Sequence, residues 1–400
     1  MAKQYQLPFQ LDDPTLLHFD SFINNEWVTA ADGSRFEVSD PGTSLPWASC
    51  PNNSAADVPK AVESSHAAFE QFKKVNPRIR AQLLMKWDGL IRDARSDLAK
   101  ILTHETGKPI AEAYGEIDYA LGFTWWFAGE AERIQGGIAV PSAANRRVFT
   151  IKQPIGVAAA LIPWNFPIAM ALRKAAAAFA AGCTMIVKPS PETPITTLAC
   201  ITANRIYVQS GVYEKFAQLL KERTSALVVG HGAKADTTMG PVTTPRSLDK
   251  AEGQVEDAVK LGGKVILGGG RKKDCGGGYF FEPTIIMDMK ADMLISREET
   301  FAPIAALYKF ETEEEAVKWA NDTSMGLASY AFTKDVDRTW RMLENLEAGM
   351  IGLNTGNASA AESPFGGIKE SGYGKESGKD VAVAEYLITK TGTFTLEGQY

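Results

Sequence analysis

The sequence predicts an α/β protein of two successive α/β domains, the first of which opens a doubly wound parallel sheet and then stops. Three observations carry that reading. "GVAAALIPWNFP", "AMALRKAAAAFAAG" and "CTMIVKPS" run as buried strand, Ala-rich helix and buried strand, a βαβ unit by their length. After "NRIYVQ" strands and helices alternate again as far as "MIGLN", enough for a second domain. Between the two, in "TTLACITANRIYVQSGVYEKF" at 196–216, Leu198, Ala199 and Cys200 run straight into Ile201 and Thr202. A helix start thus meets a buried strand without the Gly, Asn or Pro that usually closes a helix.

The elements follow in order. "FINNEWV" at 22–28 sets two Asn between strand-like flanks, a short hairpin signal because Asn tolerates positive φ. Ser54 is expected to cap a helix with Asp57 three residues on, and Val58, Val62 and Phe69 to share its buried face. A second helix carries Leu83, Leu84, Trp87, Leu90 and Ile91 and is expected to run to "ETGKP", where Gly107 and Pro109 break it. A third covers 110–133, with Tyr114, Ile117, Leu121 and Trp125 as its apolar stripe. "RRVFTIKQPIGV" alternates as an antiparallel ribbon ahead of the βαβ unit. In the second domain the order is "NRIYVQ", helix "VYEKFAQLLKERTSALV", helix 245–261, "KVILGG", "YFFEPTIIM", helix "EEEAVKWAN", "ASYAFT", helix 335–347 and "MIGLN". The tail "YLITKTGTFTL" alternates as a strand with no later partner, which points to pairing with another protomer.

Composition narrows the function. A formal charge of -6 disfavours nucleic acid and anionic membranes, which are met by basic patches. A small-molecule substrate fits better. Cys50, Cys183, Cys200 and Cys275 are scattered, without a CxxC pair or metal-ligand spacing, so no metal is expected and a reducing compartment suits them. The start, "MAKQYQLPFQLDDPTLLHF", has no apolar signal core and no Arg, so the cytoplasm is the expected location. No apolar run approaches the roughly 20 residues needed to cross a bilayer.

"PWNFP" at 163–167 ends the first parallel strand, the edge where open α/β sheets hold ligands. Asn165, between two prolines, either donates its NH₂ to a developing oxyanion or satisfies loop carbonyls. Lys188 ends the second strand at the same edge, as a donor to a nucleotide or as a snorkelling surface residue. Cys200 is either a small core residue or a nucleophile needing a lowered pKa and open access. "SREETFAP" at 296–303 and "NTGNASAAESPFGGIKESGYG" at 354–374 are also unusual. The second, with an exposed-looking Phe365, has the composition of a substrate-lining loop.

In chain order, FINNEWV, PWNFP, the K-P-x-x-E-T-P strand end, EETFAP, "LNTGNAS" and "PFGGIKESGYG" together resemble the aldehyde dehydrogenase superfamily over nearly the whole chain. Within it, "GEIDYALGFTWWFAGEAERIQG", "NFPIAMALRKAAAAFAAGCT" and "CITANRIYVQSGVYEKF" are most similar to succinate-semialdehyde dehydrogenases. The resemblance implies oxidation of a small aldehyde to an acid by NAD or NADP, through a cysteine thiohemiacetal and thioester. Cys200, five residues before Arg205, matches the nucleophile and Asn165 the oxyanion donor. Lys188 matches the residue on the adenosine ribose, Glu299 the one on the nicotinamide ribose and Phe301 its packing neighbour; Pro163, Trp164, Ser190 and Glu192 line the same cofactor site. Arg173, Ser359 and Phe365 match the substrate side, Arg173 on a substrate carboxylate.

The same resemblance divides the chain into a nucleotide-binding domain at 1–199, with a bridging ribbon at 142–155, a catalytic domain at 200–385 and an oligomerisation strand at 386–400. A homodimer or homotetramer is implied. It also shows what is missing. Family members place three more strand-helix units before the cysteine; with them go the FTGST-type phosphate loop and the ELGG segment carrying the general-base Glu. "KLGGKV" at 260–265 is an αβ turn in the other domain and no substitute. Two strands cannot make the usual five-strand nucleotide site, and an open edge leaves backbone donors unpaired. Loss of a general base commonly slows a step by about 10²–10⁴-fold. Thr202 stands where many semialdehyde enzymes have a second Cys, and Pro191, followed by Glu192, stands where an acid usually disfavours a 2′-phosphate, so NAD and NADP both remain open. A reading from another class follows from the gap: a non-catalytic chain of the family, or an incomplete gene model, acting through oligomer contacts.

Overall fold

A computed structural model describes residues 5–196 and 204–397. Strands Ser21–Ile23 and Glu26–Val28 form the expected hairpin, with Asn24 and Asn25 at φ 55° and 59° in its turn. Four helices follow, Val58–Phe72, Pro77–Asp93, Arg95–Thr106 and Ile110–Ala131. The last packs against the Ala-rich helix Pro167–Ala181, where Phe123 and Phe127 bury themselves among Ala176, Ala177, Ala180 and Ala181. Small side chains on one helix make room for large ones on the other. Gly182 closes that helix at φ 92°, and a Cβ there would stand 2.2 Å from the Arg80 guanidinium.

Several helical expectations are corrected. Ser54 does not cap the first helix: Asp57 is the N-cap residue, and its carboxylate accepts the Ser54 and Ala31 N–H groups. Val58 and Val62 are exposed, because the face turned to strand Thr184–Lys188 is a small-residue stripe in which Ser65 bonds Thr184. The second helix does not reach ETGKP unbroken; Ala94 leaves helical geometry at ψ 5° and a separate helix ends at Gly107, φ 82°. Trp125 lies 57% exposed although Ile117 and Leu121 are buried. Each i+4 step advances about 40° around a helix, so two steps carry position 125 off the buried stripe.

Strands Val157–Leu161 and Thr184–Lys188 pair in parallel, Leu161 opposite Lys188, and make a two-stranded sheet among the described residues. The second α/β unit holds a four-stranded sheet in the order Lys264–Leu267, Thr284–Met287, Ile304–Phe310, Ile206–Gln209, antiparallel only in its first pair. The strand expected over "YFFEPTIIM" is confined to Thr284–Met287, after Pro283. Ala328–Ala331 and Met350–Leu353 form a further parallel pair.

The tail strand is the largest correction. Leu387–Thr395 pairs antiparallel with Arg146–Pro154 of the same chain along its whole length, from Leu387 opposite Pro154 to Thr395 opposite Arg146. Alternation foretold the strand, but its partner lies far upstream in the ribbon. The Phe149 ring covers Gly392 so closely that a Cβ at 392 would meet it at 2.2 Å.

Candidate active site

The PWNFP turn is braced from both sides. Ile162 N–H donates to the Lys188 carbonyl at 3.0 Å, and the chain then turns through Pro163 into the helix that begins at Pro167. Lys108 Nζ donates to the Asn165 carbonyl at 3.2 Å and lies 4.1 Å from the Phe166 ring centroid. The same ammonium pairs with Glu116 at 2.5 Å, and Glu116 accepts the Ile168 and Ala169 N–H groups at 2.9 and 3.4 Å. Burial pushes the Glu116 carboxyl up, against Lys108 and those two donors. The helix N-terminus and the turn before it are thus held by one buried ion pair. Asn165 is half-buried, and its Oδ1 is buried with no hydrogen-bond partner among the described residues.

Two helical turns along, Arg173 is 2% exposed. Its Nη2 donates to Tyr119 Oη at 2.5 Å and, at 3.4 Å, toward Ser359 Oγ, while Tyr119 and Ser359 share a bond of 2.5 Å. Phe365 and Phe123 cover the guanidinium, with ring centroids at 3.8 and 4.8 Å. Phe365 is therefore buried, at 5%, rather than exposed; the cationic plane of Arg173 draws the ring inward. Among the described residues Nε and Nη1 have no hydrogen-bond partner; Glu376 pairs with Lys174 and forms only a long ion pair, 3.9 Å, with Nη1. Burial weakens the hold of Arg173 on its proton, and Tyr119 and Glu376 oppose that effect.

The residues matched to a cofactor gather at the C-terminal edge of the two-stranded sheet. Lys188 is exposed and, among the described residues, bonds only the Pro189 carbonyl, at 3.1 Å; Ser190 donates to Glu192. Pro163 is exposed, and Trp164 meets Phe301 with ring centroids 5.1 Å apart, which brings the EETFAP loop to the sheet edge. Glu299, beside Phe301, is exposed.

Cys200 and Thr202 lie outside the described residues. The residues on either side are tied down. Ile195 N–H and Thr196 N–H donate to the wholly buried Glu105 at 2.8 and 2.6 Å. Asn204 donates to the Ile295 and Glu298 carbonyls, both at 3.1 Å, and accepts from Thr300 N–H at 2.8 Å, so it is fixed to the loop that carries Glu299 and Phe301. Arg205 is used structurally, on Tyr207 and the Trp319 and Ala320 carbonyls.

Asp40, His104 and His231 form the single metal-ligand-like trio found among the described residues. Hydrogen bonds account for it: Asp40 contacts His104 Nδ1 at 2.6 Å and His231 Nε2 at 2.9 Å. Ala233 N–H donates to His231 Nδ1, which places the neutral ring's proton on Nε2 and aims it at Asp40.

Sequence reasoning missed Lys108, Glu116 and Tyr119. Glu116 did leave a signal: an acid among Ala113, Ile117 and Ala120 on a buried helix face needs a partner.

Comparison with known proteins gives this arrangement a context. The sequence pattern of the aldehyde dehydrogenase family matches residues 27–200 and 198–392, two parts that meet at the irregular joint. Succinate-semialdehyde dehydrogenase (NADP+) 1 of Schizosaccharomyces pombe is 37% identical over 473 positions, covering 94% of this chain and 95% of the relative. An alignment longer than the 400-residue chain contains positions that have no residue here. The 3-sulfolactaldehyde dehydrogenase of Pseudomonas putida is 35% identical, covering 95% and 98%. Among solved structures, the succinate-semialdehyde dehydrogenase of Burkholderia pseudomallei superimposes with a TM-score of 0.94 at 33% identity, over 97% of this chain and 100% of that one. The chain belongs to the aldehyde dehydrogenase family of oxidoreductases.

Proposed function

We propose that this chain oxidises a small semialdehyde, with succinate semialdehyde as the type substrate, to the acid using NAD or NADP. The observation that carries this reading is the buried Arg173, whose Nε and Nη1 have no hydrogen-bond partner among the described residues and lie beside Tyr119 and Ser359, with Glu376 3.9 Å from Nη1. It lies on the helix that starts at the Asn165 turn, so an acid tail held there is compatible with an aldehyde carbon near the turn. Buried donors without acceptors are costly unless a ligand supplies them.

Cys200 attacks the aldehyde carbon through its thiolate, giving a thiohemiacetal whose oxyanion accepts from the Asn165 amide. Lys108 and Glu116 hold the backbone of that turn. A bound nicotinamide would supply the hydride acceptor that turns the thiohemiacetal on Cys200 into a thioester, and one water would then release the acid from Cys200. Lys188, Ser190 and Glu192 would hold the adenosine end, Glu299 and Phe301 the nicotinamide end, with Pro163 and Trp164 between. An exposed Lys188 that bonds only a neighbouring carbonyl among the described residues, and an EETFAP loop drawn to the sheet edge by Trp164, fit that use. Succinate-semialdehyde dehydrogenases similar to this chain are NADP+-dependent by name, and a structural neighbour was solved with NAD+, so both cofactors are proposed.

A homo-oligomer is proposed from the ribbon. Pairing partners in an antiparallel ladder share a face, and Ile138, Phe149, Ile151, Ile388 and Phe394 lie on one side of it, all exposed. The proposed division remains 1–199, 200–385 and 386–400, although the tail strand and the 142–155 ribbon make one sheet. No helix among the described residues is long and apolar enough to cross a membrane; the proposed location remains the cytoplasm. The non-catalytic alternative is weaker, since a chain without a substrate gains nothing from a buried guanidinium with two nitrogens that make no hydrogen bond among the described residues.

The deciding experiment is NAD(P)H formation by the purified chain with succinate semialdehyde, beside Cys200→Ala. Turnover that disappears in the variant is expected. A folded chain that shows none, or turnover that survives the substitution, would sink the reading.

A further inference from the structure

We propose that Asn204, helped by Gln254, is an amide clamp that presents the Glu299 carboxylate to the dinucleotide, which makes Asn204 a positioning residue for the cofactor site. The inference rests on the cofactor reading of Glu299 and deepens it.

The loop that carries Glu299 has no regular structure of its own. It leaves the short helix Leu294–Arg297 and runs from Glu298 to Pro303 before strand Ile304–Phe310 begins. Its backbone groups therefore need partners from elsewhere. Asn204 supplies them on both sides of Glu299: Nδ2 donates to the Ile295 and Glu298 carbonyls, both at 3.1 Å, and Oδ1 accepts Thr300 N–H at 2.8 Å. Both protons of the amide and one face of its oxygen are thus spent on this loop. Gln254, 1% exposed on helix Pro245–Lys260, repeats the grip. Its Oε1 accepts from Thr300 Oγ1 at 2.8 Å, and its Nε2 donates at 3.5 Å toward the Glu298 carbonyl.

The clamp holds the neighbours of Glu299 and leaves its side chain uncommitted. Glu298 pairs with Lys250 at 3.1 Å and Thr300 is buried, whereas Glu299 is exposed and makes no hydrogen bond or ion pair among the described residues. Phe301 sets the far side of the loop against Trp164. Asn204 is itself anchored. Arg205 beside it bonds the Trp319 and Ala320 carbonyls, and strand Ile206–Gln209 pairs in parallel with Ile304–Phe310, the strand that continues the loop. A carboxylate that can only accept, carried on a loop held at both neighbours, suits two adjacent hydroxyl donors such as those of a ribose. Because the backbone sets its direction and no partner has to be released first, the ligand meets an acceptor already in place.

The test is calorimetric titration of the full chain with NAD+ and with NADP+, for wild type, Glu299→Gln, Asn204→Ala and the double variant. Gln254→Leu replaces Asn204→Ala if circular dichroism shows that variant misfolded. Glu299→Gln should weaken the tighter dinucleotide about tenfold, the size expected for a hydrogen bond to a charged group. Asn204→Ala should weaken it by a similar factor, and the double variant should bind no worse than Glu299→Gln, since residues that act through one contact do not add. In turnover each variant should raise KM for the dinucleotide and leave KM for succinate semialdehyde unchanged. Losses that multiply to about a hundredfold in the double variant, or wild-type affinity in Asn204→Ala, overturn the proposal and leave Asn204 a structural role alone. Coupled losses of affinity in a chain without Cys200-dependent turnover would uphold the clamp and reject the catalytic reading. Cys200-dependent turnover with an affinity indifferent to Asn204 would do the reverse, and a wild type that binds neither dinucleotide would overturn the clamp together with the cofactor reading.

Discussion

Lys108 and Glu116 show how much one pair of side chains can decide. The ammonium faces the Asn165 carbonyl and the carboxylate faces the first N–H groups of the next helix, so both halves of the turn depend on it. Removing one partner of a buried pair costs about 3–5 kcal/mol, because the other charge is left uncompensated. Lys108→Met should lose roughly that much stability in urea unfolding, and Lys108→Met combined with Glu116→Gln should lose less. Additive losses would show that the two do not act as a unit. The same pair marks a limit of sequence reading. PWNFP advertised Asn165, but Lys108 stands 57 residues away in a segment that read only as a helix stop.

At the scale of elements, the ribbon separates what alternation reveals from what it hides. Period two in "RRVFTIKQPIGV" and "YLITKTGTFTL" gave both strands, yet not that they pair with each other, since register is fixed by meeting in space. Their pairing gathers Ile138, Phe149, Ile151, Ile388 and Phe394 on one face. If that face meets a second copy, Ile151→Glu should reduce the oligomer to monomers in sedimentation velocity. Thr391→Glu, on the opposite face, should leave it intact. A wild-type chain that sediments as a monomer would remove the proposed interface. The first helix shows the converse error: Val58 and Val62 looked like its buried face, but a helix seated on a strand prefers its small-residue side.

Over the whole molecule, buried titratable groups tie stability to pH in opposite directions. Burial pushes the Glu105 carboxyl up to about 7 from an ordinary value near 4.5, outweighing the bonds from Thr196 and Ile195. Its raised folded pKa means a contribution fully present below about 4.5 and lost as pH rises through about 7. Burial also raises Asp40, but the bonds from His104 and His231 prevail and bring it down to about 2 from 3.8. That contribution is present above 3.8 and disappears as pH falls through about 2. Glu105→Gln should therefore flatten the loss of stability between about pH 4.5 and 7, a difference on the order of 3 kcal/mol. Thermal melts of both chains across that window check it, and parallel curves would refute it.

The sequence by itself determined the family, the α/β class, the order of most elements and the site of the missing sheet half, because each is written in short local signals: turn residues, apolar runs and motif order. It also named Asn165, Arg173, Ser359 and Phe365. Only the tertiary structure decided that the last three meet, that Tyr119 joins them, that Phe365 turns inward over a guanidinium, and that the tail strand closes on the ribbon of its own chain. Those are contacts between segments tens to hundreds of residues apart. Burial and charge compensation settle them, and neither has a period that a linear sequence can carry.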